Sequence, residues 1–201
     1  MRNFKYLVLV LFSIAYKGQN PIIDITSSRF GQPAGYYMKD INNLLNQFEG
    51  TYLYTNGATS LKITLVKKIQ QYNGSFYEDL IIGEYQYIEN GIEKINTLNK
   101  INIVYNDQRS HSIDGNLIVN NNFRYWKCPS CSSNEKRLSC SFNDPSNERY
   151  ANITIRKNNE NNQEKIIIKI SHVSKRVDLS LSADQNSNFS IPLGEMTLLK
   201  I

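Results

Sequence analysis

Asn56-Gly57-Ala58-Thr59-Ser60-Leu61-Lys62-Ile63-Thr64-Leu65 is the stretch that decides the fold. Leu61, Ile63 and Leu65 alternate with Lys62 and Thr64, so the three apolar side chains share one face of a strand. Asn56-Gly57 ahead of them is a strong hairpin signal, because a type I′ turn needs positive φ at both central positions. The dipeptide returns as Asn73-Gly74 and Asn90-Gly91, seventeen residues apart each time. Strands of about ten to thirteen residues fit between such turns, longer than the usual five or six. Consecutive long hairpin strands favour an up-and-down barrel or a strongly curled meander. Asp114-Gly115 is read as a fourth turn, and Gly83 as a bulge where the apolar register changes.

The alternation continues outward from this region. Ile101, Ile103 and Tyr105 carry it, as do Ala151, Ile153 and Ile155, then Ile166, Ile168 and Ile170. Val177, Leu179 and Leu181 follow, and Met196 to Ile201 makes a short final strand. One wet face and one buried face is the habit of antiparallel sheets. One helix is expected before the strands: Tyr37, Ile41, Leu44, Leu45 and Phe48 form a helical stripe ended by Gly50, suited to packing over an open end of the sheet. The fold class is therefore all-β, mainly antiparallel, with one N-terminal helix. Residues 19–35 form an irregular lead-in, 36–201 a single barrel-like domain, and 106–148 a turn-rich excursion within it.

The first residues set the compartment. Arg2 and Lys5 precede an apolar run of ten, Tyr6 to Ala15. Such a run spans only about 15 Å as a helix, half the hydrocarbon core of a bilayer. This is the pattern of a secretory signal peptide over residues 1–18. The expectation is an exported protein, periplasmic, cell-surface or extracellular, with no integral membrane segment in the mature chain. The net charge of +5 is scattered through Lys67-Lys68, Lys136-Arg137 and Lys175-Arg176 among acids, which argues against a nucleic-acid partner.

Phe48-Glu49-Gly50-Thr51-Tyr52 resembles the opening of the lipocalin and fatty-acid-binding superfamily, where a short helix leads into a Gly-x-aromatic strand that seals one barrel end. Tyr52 stands where tryptophan is usual. Tyr36 to Leu45, Gly50 to Tyr54 and Ile82 to Tyr87 resemble an uncharacterised family of secreted flavobacterial proteins, a domain of unknown function. That resemblance implies export and a compact domain, and it carries no catalytic residues.

Chemistry-bearing motifs are sparse. Cys128-Pro129-Ser130-Cys131 is the sharpest, with Cys140 beyond it and Trp126 before it. In an oxidising compartment it reads as part of a structural disulfide joining Cys140 to Cys128 or Cys131. Two other readings stand beside this one. A thiol–disulfide exchange site resembles Cys-Pro-x-Cys of thioredoxin-like proteins. A zinc site would need His111 or His172 to complete the ligands, and neither sits at ligand spacing. No Gly-x-Ser-x-Gly elbow, phosphate loop or His-Glu-x-x-His occurs, so no catalytic residue, metal or cofactor is assigned. His111 and His172 read as polar surface residues, and Glu78, Asp79 and Glu84 as solvated strand positions. Tyr52, Tyr54, Tyr85 and Tyr87 are the ligand-binding candidates, since tyrosine joins apolar area to a hydroxyl. The expected function is a non-enzymatic binding module for a small apolar ligand or a glycan. A structural or protein-interaction role is the alternative, and a hydrolase using paired carboxylates among Glu78, Asp79 and Glu84 is the third and less favoured reading.

Overall fold

A computed structural model describes residues 20–160, 163–175 and 189–201. The leader and the Val177-Leu179-Leu181 alternation lie outside the described residues. The strands are β1 (Ile22–Asp24), β2 (Tyr37–Lys39), β3 (Gly50–Asn56), β4 (Thr59–Tyr72), β5 (Tyr77–Glu89), β6 (Ile92–Asn96), β7 (Ile113–Val119), β8 (Arg137–Asp144), β9 (Arg149–Glu160), β10 (Gln163–Lys175) and β11 (Gly194–Lys200). Pairing runs β3-β4-β5-β7-β8-β9-β10-β11 and returns to β3, antiparallel at every step. Ring order follows chain order. This is an eight-stranded, closed, up-and-down barrel of lipocalin-like form.

The hairpin signals fall where the strands turn. Glu89 pairs with Ile92, leaving Asn90 (φ +52°) and Gly91 (φ +79°) as a two-residue loop with both central φ positive. At the first hairpin Asn56 pairs with Thr59, so the loop is Gly57-Ala58 and only Gly57 (φ +59°) is left-handed. Asp114-Gly115 does not turn: both residues lie inside β7. Ile101 to Tyr105 forms no strand, and 106–148 is only partly an excursion, because β7 and β8 come from it.

The barrel bends at bulges other than the expected one. Pairing runs without a shift through Leu65, Gly83 and Ile113. Instead Ile69-Gln70 oppose Asp79, Gly115-Asn116 oppose Cys140, and His172-Val173 oppose Ala151. Each inserts one extra residue, and Gln70 and His172 take positive φ (+52° each). Gly83 serves close approach: a Cβ there would lie 2.9 Å from the Thr64 carbonyl oxygen and 2.6 Å from Leu65 Cδ2. Gly115 is tighter against backbone, its Cβ position being 2.8 Å from Cys140 Cα and from the Ser139 carbonyl oxygen. Gly115→Ala is expected to lower stability by roughly 1–3 kcal/mol, the cost of overpacking. Urea unfolding would read this as a lower midpoint at unchanged slope.

No α-helix forms at 37–48. Tyr37–Lys39 is strand β2, and only a 3-10 turn at Asn46–Phe48 remains. Asp40 explains the difference. Its carboxylate accepts Leu44 N–H at 2.7 Å and Leu45 N–H at 2.9 Å, donors that a helix would send to carbonyls one turn back. Asn43 has φ +54°, which ends any helical run. Leu45 and Phe48 are nonetheless fully buried against the interior, while Ile41 is exposed.

That interior is filled. Leu61, Ile63 and Leu65 of β4 meet Ile153 and Ile155 of β9, Ile166 and Ile168 of β10, and Leu138 and Phe142 of β8. All but Leu65 (1%) have no accessible surface (0%), so among the described residues this core leaves no water-sized void against them.

Candidate functional site

β5 is buried on both faces. Ile81, Tyr85 and Tyr87 point inward. Glu78, Leu80, Ile82 and Glu84 alternate with them and are buried as well, because the segment 97–112 is bonded across the outer wall. β5 shares its second edge among three strands: β2 at Tyr77-Glu78, β7 at Ile81 to Gly83, and β6 beyond. β7 therefore parts from β5 after three residue pairs, at its own bulge. Polar side chains fill the gap.

Arg109 is the centre of that filling. Its Nε and Nη2 reach Glu78 Oε1 and Oε2, both at 2.7 Å, and its Nη1 reaches Asp114 Oδ1 at 2.9 Å. Asn116, carried outward by the β7 bulge, donates from Nδ2 to Glu78 Oε2 at 2.8 Å and to the Asp79 carbonyl at 2.9 Å. Arg29 closes the set by donating to Asn116 Oδ1. Burial opposes the charge on Glu78, but the bidentate guanidinium outweighs it and holds the carboxyl below its ordinary range. Asp114 receives a single hydrogen bond from the same cation, so burial prevails and raises its pKa from 3.8 to about 6.

The sign of the pH effect follows. The folded Asp114 binds its proton more tightly than the unfolded chain does. Its contribution is fully present below pH 3.8 and is lost as pH rises toward about 6. That shift corresponds to roughly 3 kcal/mol. Glu78 acts in the opposite sense and in a lower window, losing its contribution as pH falls below its ordinary value of 4.5. Urea unfolding between pH 4.5 and 6 is expected to show a decline in stability in the wild type that Asp114→Asn lacks.

Over this network lies an open cleft of about 410 Å³, lined by Arg29, Arg109, Asp114, Gly115, Asn116, Leu117, Ser139, Cys140, Ser141 and Asn152. Leu117 is half-exposed at its rim. Asn152 donates to Ser139 Oγ at 2.8 Å and accepts from Thr154 Oγ1 at 3.1 Å, which fixes the far wall.

A second buried cluster sits higher on β5. Glu84 Oε1 is 2.8 Å from His111 Nδ1, and Ser112 Oγ donates to Glu84 Oε2 at 2.6 Å. Thr97 joins through Ser112 Oγ at 3.2 Å. Serine and histidine are both bonded to the carboxylate rather than to each other, so this is no nucleophile–base pair. His111 and the three acids Glu78, Asp79 and Glu84 are thus buried, where solvated positions were expected. Asp79 answers the β4 bulge, accepting Gln70 N–H at 2.9 Å, Tyr37 Oη at 2.5 Å and Asp40 N–H at 2.9 Å. His172 is exposed, as expected, its ring 4.0 Å from that of Tyr125.

The tyrosine candidates divide differently. Tyr52, Tyr85 and Tyr87 are buried in the interior cluster, and Tyr54 is half-buried against it. Their hydroxyls are in use: Tyr52 donates to the Glu49 carbonyl at 3.1 Å and Tyr85 to the Asn143 carbonyl at 3.0 Å. Burial, with Glu164 and Glu49 nearby, pushes the Tyr52 pKa up to about 12. Burial likewise raises Tyr85, next to Asp144 and Glu84.

The cysteine expectation needs correction. The disulfide joins Cys128 to Cys131, and Cys140 is a free, buried thiol. The reason is topological. Cys140 points into the barrel from β8, packed against Gly115, while the other two sit on the outer excursion 120–136. Burial raises the Cys140 thiol pKa well above its usual value. No group of three or more His, Cys, Asp or Glu is placed to hold a metal among the described residues. Among those residues too, no helix is long and apolar enough to cross a membrane.

A family of unknown function, DUF6705, matches residues 1–201. No curated protein and no solved structure matches the chain.

Proposed function

We propose, on the premise that the chain belongs to that family of unknown function, that it is an exported, non-enzymatic binding module whose ligand is a hydroxyl-rich saccharide held on the outer wall. The observation that carries this is the cleft where β7 leaves β5. Amide, carboxylate, guanidinium and hydroxyl groups converge there, and such planar donors and acceptors suit neighbouring sugar hydroxyls. The buried Glu78–Arg109–Asp114 network beneath fixes their positions before any ligand arrives. The filled interior weighs against carriage of an apolar ligand in the lumen. Export rests on Arg2, Lys5 and the apolar run that follows them, and a disulfide is compatible with it.

Calorimetric titration against a panel of soluble oligosaccharides tests the reading. Arg29 and Leu117 are exposed at the cleft, so their replacement spares the core. Arg29→Ala is expected to weaken binding about tenfold and Leu117→Glu to abolish it, the latter with an unchanged unfolding midpoint. A chain that binds no member of the panel loses this reading in favour of a protein-interaction surface.

A further inference from the structure

The excursion 120–136 holds a second arrangement of groups that the cleft does not use. Cys128 and Cys131 are both partly exposed, with exposed Pro129 and Ser130 between them. Arg156 of β9 places Nη1 3.0 Å from Cys131 Sγ, and the same nitrogen is 2.9 Å from Glu135 Oε2. Cys128 Sγ has Ser130 Oγ at 3.5 Å instead. The two sulfurs therefore differ: one faces a cation and the other a hydroxyl.

Hydrogen bonds hold the loop in addition to its S–S bond. Asn121 accepts Cys128 N–H at 2.8 Å and donates to the carbonyls of Cys128 at 2.7 Å and Cys131 at 3.1 Å. Asn121 is tied in turn to Arg137, a fully buried residue that also donates to the Trp126 carbonyl at 2.7 Å. A bond that closes a loop of sequence separation 3 removes little chain entropy, so a staple here adds little to what Asn121 already holds. Cys140, buried on the far side of the wall, is not available to interfere.

We propose that Cys128–Cys131 is a thiol–disulfide exchange site that takes electrons from a partner dithiol, with Arg156 holding Cys131 as the leaving thiolate. A partner thiolate attacks Cys128 Sγ, the Cys128–Cys131 bond breaks, and its electron pair goes to Cys131 Sγ beside the guanidinium. The partner's second thiolate then attacks the partner's first sulfur in the mixed disulfide, forming the partner's own S–S bond and expelling Cys128 as a thiolate. The partner dithiol loses two electrons and two protons and becomes a disulfide. Cys128 and Cys131 gain them and become thiols.

The test uses the whole protein with glutathione and iodoacetamide as probes. Glutathione is expected to reduce the pair readily and to form its mixed disulfide at Cys128, mapped by peptide mass. In the reduced protein, iodoacetamide at pH 7 is expected to label Cys131 faster than Cys128. Arg156→Gln is expected to slow labelling of Cys131 about tenfold and move its pH profile upward, while Arg156→Lys keeps most of the rate. The comparison of Cys131 with Cys128 within the wild type needs no variant and stands even if Arg156→Gln misfolds. A pair that stays oxidised in a hundredfold excess of glutathione overturns the proposal, as does equal labelling of the two thiols.

Discussion

Arg109→Met is expected to lower the unfolding free energy by about 3–5 kcal/mol, among the largest effects of any single change outside the interior. The loss comes from what is left behind rather than from the arginine itself. Glu78 is almost wholly buried and Asp114 nearly so, and this guanidinium bonds both. Without it, two carboxylates face each other across the gap between β5 and β7, with the neutral amides of Asn116 at 2.8 Å and Asn73 at 2.9 Å bonded to Glu78 and the Arg29 cation acting only through its charge. The triple variant Glu78→Gln, Arg109→Met, Asp114→Asn removes the charges together and is expected to regain much of the loss. Urea unfolding of both proteins decides this. A single variant within about 1 kcal/mol of the wild type would show that the network is bathed by solvent.

Tyr85→Ala is expected to cost about 3–5 kcal/mol, the range for deleting a large buried aromatic. Tyr85 has no accessible surface (0%), and its ring meets Phe142 edge-on at 4.7 Å. Tyr85→Phe removes only the hydroxyl and leaves the Asn143 carbonyl without that donor, a loss of about 1 kcal/mol. The contrast between the two separates packing from hydrogen bonding. If Tyr85→Ala costs no more than Tyr85→Phe, the ring stands in open space and the barrel has room for a guest.

The barrel was legible because its strands obey a local rule. Leu61, Ile63 and Leu65 face inward because side chains alternate, whatever lies beyond the chain's own backbone. Asn90-Gly91 turns because both residues tolerate positive φ. The structure departs from these rules where a side-chain bond or a covering segment overrides them. Asp40 captures the Leu44 and Leu45 amides and unmakes a helix that the apolar spacing of Tyr37 to Phe48 favours. Glu78 and Glu84 alternate with core residues as solvated acids do, and only the segment 97–112 folding over them makes them buried. Arg109, Asp114 and Asn116 had no sequence signal of their own. The one available hint was the unusual density of acids and apolar residues in Glu78 to Glu84, too apolar on both faces for a strand with one wet side. Cys140 stays outside the disulfide because it lies on the inner side of the barrel wall, and spacing carries no information about which side of a wall a thiol occupies.

The binding module proposed here has a filled interior and holds its ligand on the outer wall. Amide shift mapping on the isotope-labelled protein tests it most directly, with the tightest-binding saccharide of the panel and, in a separate titration, a long-chain fatty acid. Saccharide-induced shifts are expected to be confined to Asp114 to Leu117, Ser139 to Ser141 and Asn152, with no saturable response to the fatty acid. Saturable shifts at Tyr85, Ile153 and Ile168 on adding the fatty acid, with the outer wall silent, would contradict it.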